Sequence, residues 1–229
     1  MTMIKSLFSL PLFALASCHL ASTPSSDTTT AAPGVSAVLG AKVARVGSNP
    51  GHLDAHRTGE TATLVPDPGH QLAAFAEGCF WGSEDTFRHV PGVVATAVGF
   101  AGGHTKNPSY EDVCTHTTGH AETVLVEFDP TQATYASLLR VFWDSHDPTT
   151  LNRQGPDVGD QYRSAIFTFS PDQDREARAS LQEEAKHYKT AITTQIQPMG
   201  PFWKAEEYHQ QYDEKTGRHS CPLPAKHST

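Results

Sequence analysis

Cys79 stands in the run Glu77-Gly78-Cys79-Phe80-Trp81-Gly82. Leu72 to Ala76 ahead of it reads as a short apolar strand, and Phe80 to His89 after it reads as a helix closed by Pro91-Gly92. The thiol is therefore expected at a strand-to-helix turn. Unpaired N–H groups and the positive end of the helix dipole favour thiolate there, and thiolate is the nucleophilic form. A cysteine set between two glycines and beside two aromatic residues is poorly explained as an inert core thiol. A second residue invites chemistry for a different reason. Glu122 shares parity with Val124, Val126 and Phe128 on the strand His120 to Phe128, so it points to the apolar side at a strand end. Desolvation raises a carboxyl pKa there, and a neutral glutamic acid can donate a proton.

The remaining elements follow from periodicity and punctuation. Val93 to Phe100 reads as a buried strand, followed by a Gly/Asn/Pro loop and a brief helical turn around Glu111 to Val113. Thr134 to Ser145 carries Tyr135, Leu138, Leu139 and Phe142 at helical spacing. Arg163 to Phe169 is a strand, Ser170-Pro171 caps a long polar helix reaching about residue 189, and Ile192 to Gln197 is a last strand. Phe202 to about Glu214 is expected as a short helix, with a breaker-rich coil tail carrying Cys221. The order implies an α+β fold, a ferredoxin-like split βαβ two-layer core with a mixed sheet, an extra C-terminal helix and a coil tail.

With 17 Lys+Arg against 25 Asp+Glu and a net charge of −8 over 229 residues, the chain lacks the basic footprint of a nucleic-acid binder. Four cysteines, at 18, 79, 114 and 221, are too few and too scattered for a disulfide scaffold and form no CxxC pair. The 13 histidines fall into no HExxH or tight HxH pattern, so neither a metal nor another cofactor is expected. Residues 1–17 combine Lys5 with an apolar run too short to span a bilayer, and read as a signal peptide. Leu15-Ala16-Ser17-Cys18 resembles the lipobox of bacterial lipoproteins, which implies a lipid on Cys18 and a membrane anchor. His19, where an aspartate would retain the chain at the inner membrane, favours the outer membrane of the envelope. Plain secretion to the periplasm is the alternative. Residues 18–69 form a polar, Gly/Pro-punctuated tether, 70–221 the catalytic domain and 222–229 the C-terminal end.

Gly78-Cys79-Phe80-Trp81-Gly82 resembles the signature of the A-type peptide methionine sulfoxide reductases. The resemblance continues through Gly102-Gly103, Asn107 to Tyr110, Gly119 to Glu122, Phe142-Trp143 with His146 to Pro148, Arg153 to Gly159, Gln161 to Ser164, and His209 to Tyr212. It covers residues 71 to 221 and implies thiol-dependent reduction of methionine-S-sulfoxide, free or in proteins. Cys79 would attack the sulfoxide sulfur, and Phe80 and Trp81 would wall a pocket for the S-methyl group. Glu122 would protonate the leaving oxygen, with Tyr110 and Tyr162 as hydroxyl donors to it and Asp157 ordering the site. Cys221 would resolve the sulfenic acid, Cys114 would be structural, and a thioredoxin-like periplasmic protein would reduce the disulfide of a monomeric enzyme. Phe100 and His104 depart from the tyrosines common in close relatives and are expected at the pocket rim.

Two other readings fit fewer residues. Cys79 with His120 and Asp157 could form a thiol hydrolase triad. The domain could also be a surface lipoprotein that only binds oxidised or methionine-rich partners.

Overall fold

The computed structural model describes residues 65–218, so the expectations placed on the signal peptide, on Cys18, on most of the tether and on Cys221 lie outside the described residues. Strands β1 (Gln71–Glu77), β2 (Val93–Ala101), β3 (Ala121–Phe128), β6 (Ser164–Thr168), β7 (Gln195–Pro198) and β8 (Trp203–Lys204) make one sheet, in the order β7-β6-β1-β3-β2-β8. Its neighbours run antiparallel except β6 and β7, which are parallel, so the sheet is mixed and the fold α+β. A separate hairpin pairs β4 (Arg153–Gln154) with β5 (Asp157–Val158).

Strand alternation sorts the core into two faces. Ala73, Phe75, Val124, Val126, Phe128 and Ile166 pack against helices α1 (Phe80–Arg88), α3 (Tyr135–Ser145) and α4 (Pro171–Glu184) through Phe87, Leu138, Leu139, Phe142 and Ala177. Thr134 and Ser170 cap α3 and α4 by accepting the Ser137 and Gln173 amides. The opposite face is lined by Ala74, Ala76, Ala97, Ala101, Ala121 and Ala165, with Leu125 and Phe167, and is closed by Phe202. The small side chains let the segment that follows β7 lie close. Gly99 shows how close, since a Cβ there would meet the Trp203 carbonyl oxygen at 2.3 Å.

The segment expected as one helix from Phe202 to Glu214 is instead β8, a 3-10 turn over Glu207–His209 and a short α5 (Tyr212–Thr216). Trp203 pairs with Phe100 and Lys204 with Gly99, so the start of the expected helix is drawn into the sheet edge. The long polar helix also ends earlier, at Glu184, and continues as a 3-10 turn through His187. Between the turn and α5, Gln211 adopts a left-handed conformation (φ 50°), held by the Glu84 carboxylate, which accepts the Gln211 amide at 2.6 Å and its side-chain Nε2 at 2.9 Å. Arg88, buried on α1, donates to Thr96 and Glu214, so one polar cluster ties α1, β2 and α5 together.

Candidate active site

Cys79 is the N-cap residue of α1, half-buried, with no side-chain cap bond. The turn is made possible by Gly78, whose φ of +112° favours glycine and where a Cβ would meet the Gln154 side chain at 2.7 Å. The first amide of the helix, Phe80 N, donates to Glu122 Oε2 at 3.0 Å. A single orphan donor at the end of α1 thus brings the acid of β3 beside the thiol of the turn.

Glu122 is 2% exposed, and its cross-strand partner is Phe100. Burial pushes its pKa from 4.5 up to about 8 and the Asp157 charge adds to the rise, while the Phe80 amide opposes it. At neutral pH the carboxyl holds its proton. Phe100 is fully buried and lies 5.8 Å from the Phe80 ring, so it stands behind the pocket wall and beside the acid, not at a rim. His104 is exposed in the loop before α2, where its backbone amide donates to the Thr118 carbonyl.

Tyr110 opens α2 (Tyr110–Cys114), placed by the Ser109–Asp112 capping box, and Tyr162 ends a 3-10 turn at Asp160–Tyr162. Both phenols are raised well above their ordinary value, first by burial and then by the Glu122 charge, so they remain donors over the working range. The Cys79 and Asp157 charges also bear on Tyr162, and Asp157, on β5, is raised by burial. Cys114 hydrogen-bonds Tyr110, which accounts for it as part of the hydroxyl's setting. The structure therefore brings Cys79, Phe80, Trp81, Tyr110, Glu122, Asp157 and Tyr162 to one place.

Sequence reasoning assigned no role to His209, which sits at the centre of the aromatic wall. Its ring lies 5.1 Å from Phe80, 4.5 Å from Tyr110 and 5.6 Å from Trp81. Trp81 Nε1 donates to its Nδ1 at 3.0 Å, and Trp81 stacks on Tyr212 at 3.9 Å. Burial lowers the His209 pKa to about 4, so the ring is neutral and able to accept the indole proton. Glu84 was missed too. The buried stripe Phe80, Ser83, Glu84, Phe87 at helical spacing was the available signal for it.

His120 does not serve Cys79. Its Nε2 donates to the Thr105 carbonyl at 2.7 Å and its Nδ1 accepts the Gly103 amide at 3.1 Å, so both nitrogens hold the loop before α2. That removes the base from the hydrolase reading. Among the described residues, Asp67, His70 and Glu127 form a group with metal-ligand types, at the opposite end of β1 and β3 from Cys79. Glu127 already accepts the Asp67 amide at 3.0 Å and His70 Nδ1 at 2.8 Å, which explains the group as an anchor for the chain entering β1.

A cysteine at a helix N-terminus, a protonated buried glutamic acid, two neutral phenols and an aromatic wall define a thiol-based oxidoreductase with its own proton donor. Comparison with known proteins makes this specific. The peptide methionine sulfoxide reductase family model matches residues 71–229. A peptide methionine sulfoxide reductase of Methanoculleus marisnigri is 55% identical over 160 residues, covering 69% of this chain and 98% of the relative. One from Geobacter sulfurreducens is 60% identical over 153 residues, covering 66% and 94%. The solved methionine sulfoxide reductase A of Corynebacterium diphtheriae superposes with a TM-score of 0.66 at 41% identity, over 71% of this chain and 82% of that one. The chain belongs to the peptide methionine sulfoxide reductase family.

Proposed function

We propose that this protein reduces methionine-S-sulfoxide, in peptides and proteins or free, to methionine, as an envelope repair enzyme. The observation that carries the mechanism is the Phe80 amide shared between the Cys79 turn and Glu122, which sets a nucleophile beside a carboxyl that retains its proton. The Cys79 thiolate attacks the sulfoxide sulfur while Glu122 delivers its proton to the oxygen, with Tyr110 and Tyr162 donating hydrogen bonds to it. The S–O bond breaks, methionine leaves, and the oxygen passes to Cys79 as a sulfenic acid. Phe80 and Trp81 hold the S-methyl group, and His209 fixes the indole. Asp157 orders the site and supports the protonated state of Glu122.

Cys221 then attacks the Cys79 sulfur, expelling water and forming a disulfide that a thioredoxin-like dithiol opens by exchange. The reading is supported by α5, near the end of the described residues, whose Tyr212 stacks on Trp81 of the pocket wall nine positions before Cys221. The fold is read as the ferredoxin-like split βαβ plan, supported by the antiparallel order β6-β1-β3-β2 at the heart of the sheet. Lipidation of Cys18 and an outer-membrane address rest on the signal-like residues 1–18. Methionine release from S- and R-sulfoxide peptides with dithiothreitol tests the activity, and equal use of both epimers refutes it. Membrane fractionation of wild type and Cys18→Ala tests the address.

A further inference from the structure

The mechanism leaves one buried acid beside the nucleophile unused. Glu77 is the last residue of β1, two positions before Cys79, and shares parity with Ala73 and Phe75 on the helix-covered face. Its side chain is 3% exposed. From α3, Ser145 Oγ shares its one proton between Glu77 Oε2 at 2.6 Å and the Phe142 carbonyl at 2.9 Å. From α1, Ser83 hydrogen-bonds the same carboxyl. Ser83 also donates to the Cys79 carbonyl at 3.2 Å. A hydroxyl has one proton, so Ser83 can serve both partners at once only when Glu77 is protonated and donates to it; an ionised Glu77 would instead draw the Ser83 proton away from the Cys79 carbonyl.

Among the described residues, no lysine or arginine charge acts on Glu77 to favour the carboxylate instead. His146 approaches, with Nδ1 4.0 Å from Glu77 Oε2, but its ring is accounted for. Nδ1 donates to the Phe142 carbonyl at 2.8 Å, Nε2 accepts from Ser164 Oγ at 2.7 Å, and Ser164 in turn bonds Thr194 at 2.7 Å. Burial keeps His146 neutral, with a pKa near 4, and Asp147 is the charge that acts on it. Hydroxyls are placed about Glu77 from three elements: Ser83 from α1, Ser145 from α3 and, across the sheet in register, Ser164 from β6.

We propose that Glu77 is a positioning residue for the nucleophile: as the neutral acid it lets the Ser83 hydroxyl reinforce the hold of the Ser83 amide on the Cys79 carbonyl and first turn of α1, and its ionisation loosens that turn. The inference rests on Cys79 being the reactive thiol. Burial pushes Glu77 to about pKa 8, so the loosening falls in mildly alkaline solution, where a negative charge also appears two residues behind the thiolate. No bond is made or broken in this role beyond the gain or loss of the Glu77 proton.

Glu122 titrates in the same range, so the test uses the full chain carrying Glu122→Gln, with Cys18, Cys114 and Cys221 replaced by serine, and follows alkylation of Cys79 by iodoacetamide against pH. This reaction needs neither methionine sulfoxide nor a proton donor, so it reports on Glu77 even if the reductase reading fails. With Glu77 present, the rate profile is expected to show a second inflection near pH 8; with Glu77→Gln added, it should follow one thiol ionisation. Identical profiles overturn the proposal. In the otherwise wild-type chain, Glu77→Ala should slow single-turnover methionine release at pH 7 by about tenfold, as expected for a loosened reacting group. Glu77→Gln should recover most of that loss because its amide supplies both a donor and an acceptor. Equal deficits for Ala and Gln also overturn it, and circular dichroism confirms that each variant is folded.

Discussion

Replacing Glu122 by glutamine removes the transferable proton and keeps the shape. The Gln carbonyl can still accept the Phe80 amide that Glu122 accepts at 3.0 Å, so the α1 turn and the thiol stay where they are. With a pKa of about 8, about 90% of the wild-type carboxyl is protonated at pH 7; an exposed one at 4.5 would be under about 1% protonated. Burial therefore raises the supply of acid by a factor of a few hundred. General acid catalysis contributes about 10²–10⁴-fold, and that is the expected loss in single-turnover methionine release on Glu122→Gln at pH 7. Rapid quench between pH 5.5 and 9.5 should show the wild-type rate falling tenfold per unit well above pH 8 as the acid is lost. A Glu122→Gln enzyme within about threefold of wild type at pH 7 would refute the argument, since no proton is then needed from this side chain.

Stability should follow pH with a specific shape. Glu77 and Glu122, raised from 4.5 to about 8, stabilise the fold fully at low pH and lose that contribution as pH rises to 8, while His146 and His209, lowered from 6.5 to about 4, gain theirs as pH rises from 4 to 6.5. The slopes oppose between pH 4.5 and 6.5, so thermal melts should be nearly flat there and fall from 6.5 to 8; a double Glu77→Gln, Glu122→Gln variant should flatten the fall. Gly78→Ala forces a side chain into a φ of +112° and against Gln154, and should cost about 1–3 kcal/mol in urea unfolding and slow turnover; an unchanged midpoint would contradict it. Cys221→Ser should release about one methionine per enzyme and then stall with a thioredoxin-type reductant alone, as the sulfenic acid has lost its partner. Sustained turnover of that variant would make Cys221 dispensable.

Glu122 was legible because β3 alternates cleanly, and parity alone puts it with Val124, Val126 and Phe128. Cys79 was legible because a glycine, a strand and a helix start leave one local geometry. Glu77 was lost to a boundary: the first strand reads as ending at Ala76, yet it runs one residue further and carries the acid inward. The region after Pro201 misled because the partners that make Trp203 and Lys204 a strand, Phe100 and Gly99, lie about a hundred residues earlier. The role of His209 depends on an indole 128 residues away, and no local pattern encodes that pairing. The hairpin at Arg153–Val158 is two residues per strand, too short for periodicity to register.

The clamp of Glu84 on Gln211 spans 127 positions, and β1 cannot take its place in the sheet until β3 and β6 have both formed. Such long-range closures slow folding, because loop entropy is lost before the contacts that reward it exist. In the nascent chain, Cys79 has no helix end behind it and Glu122 is an ordinary ionised carboxylate in water. The thiol becomes a matched nucleophile and acid pair only when the last third of the sequence has docked. A partly folded chain therefore carries the cysteine without its acid, and the reactive centre switches on only with the finished fold.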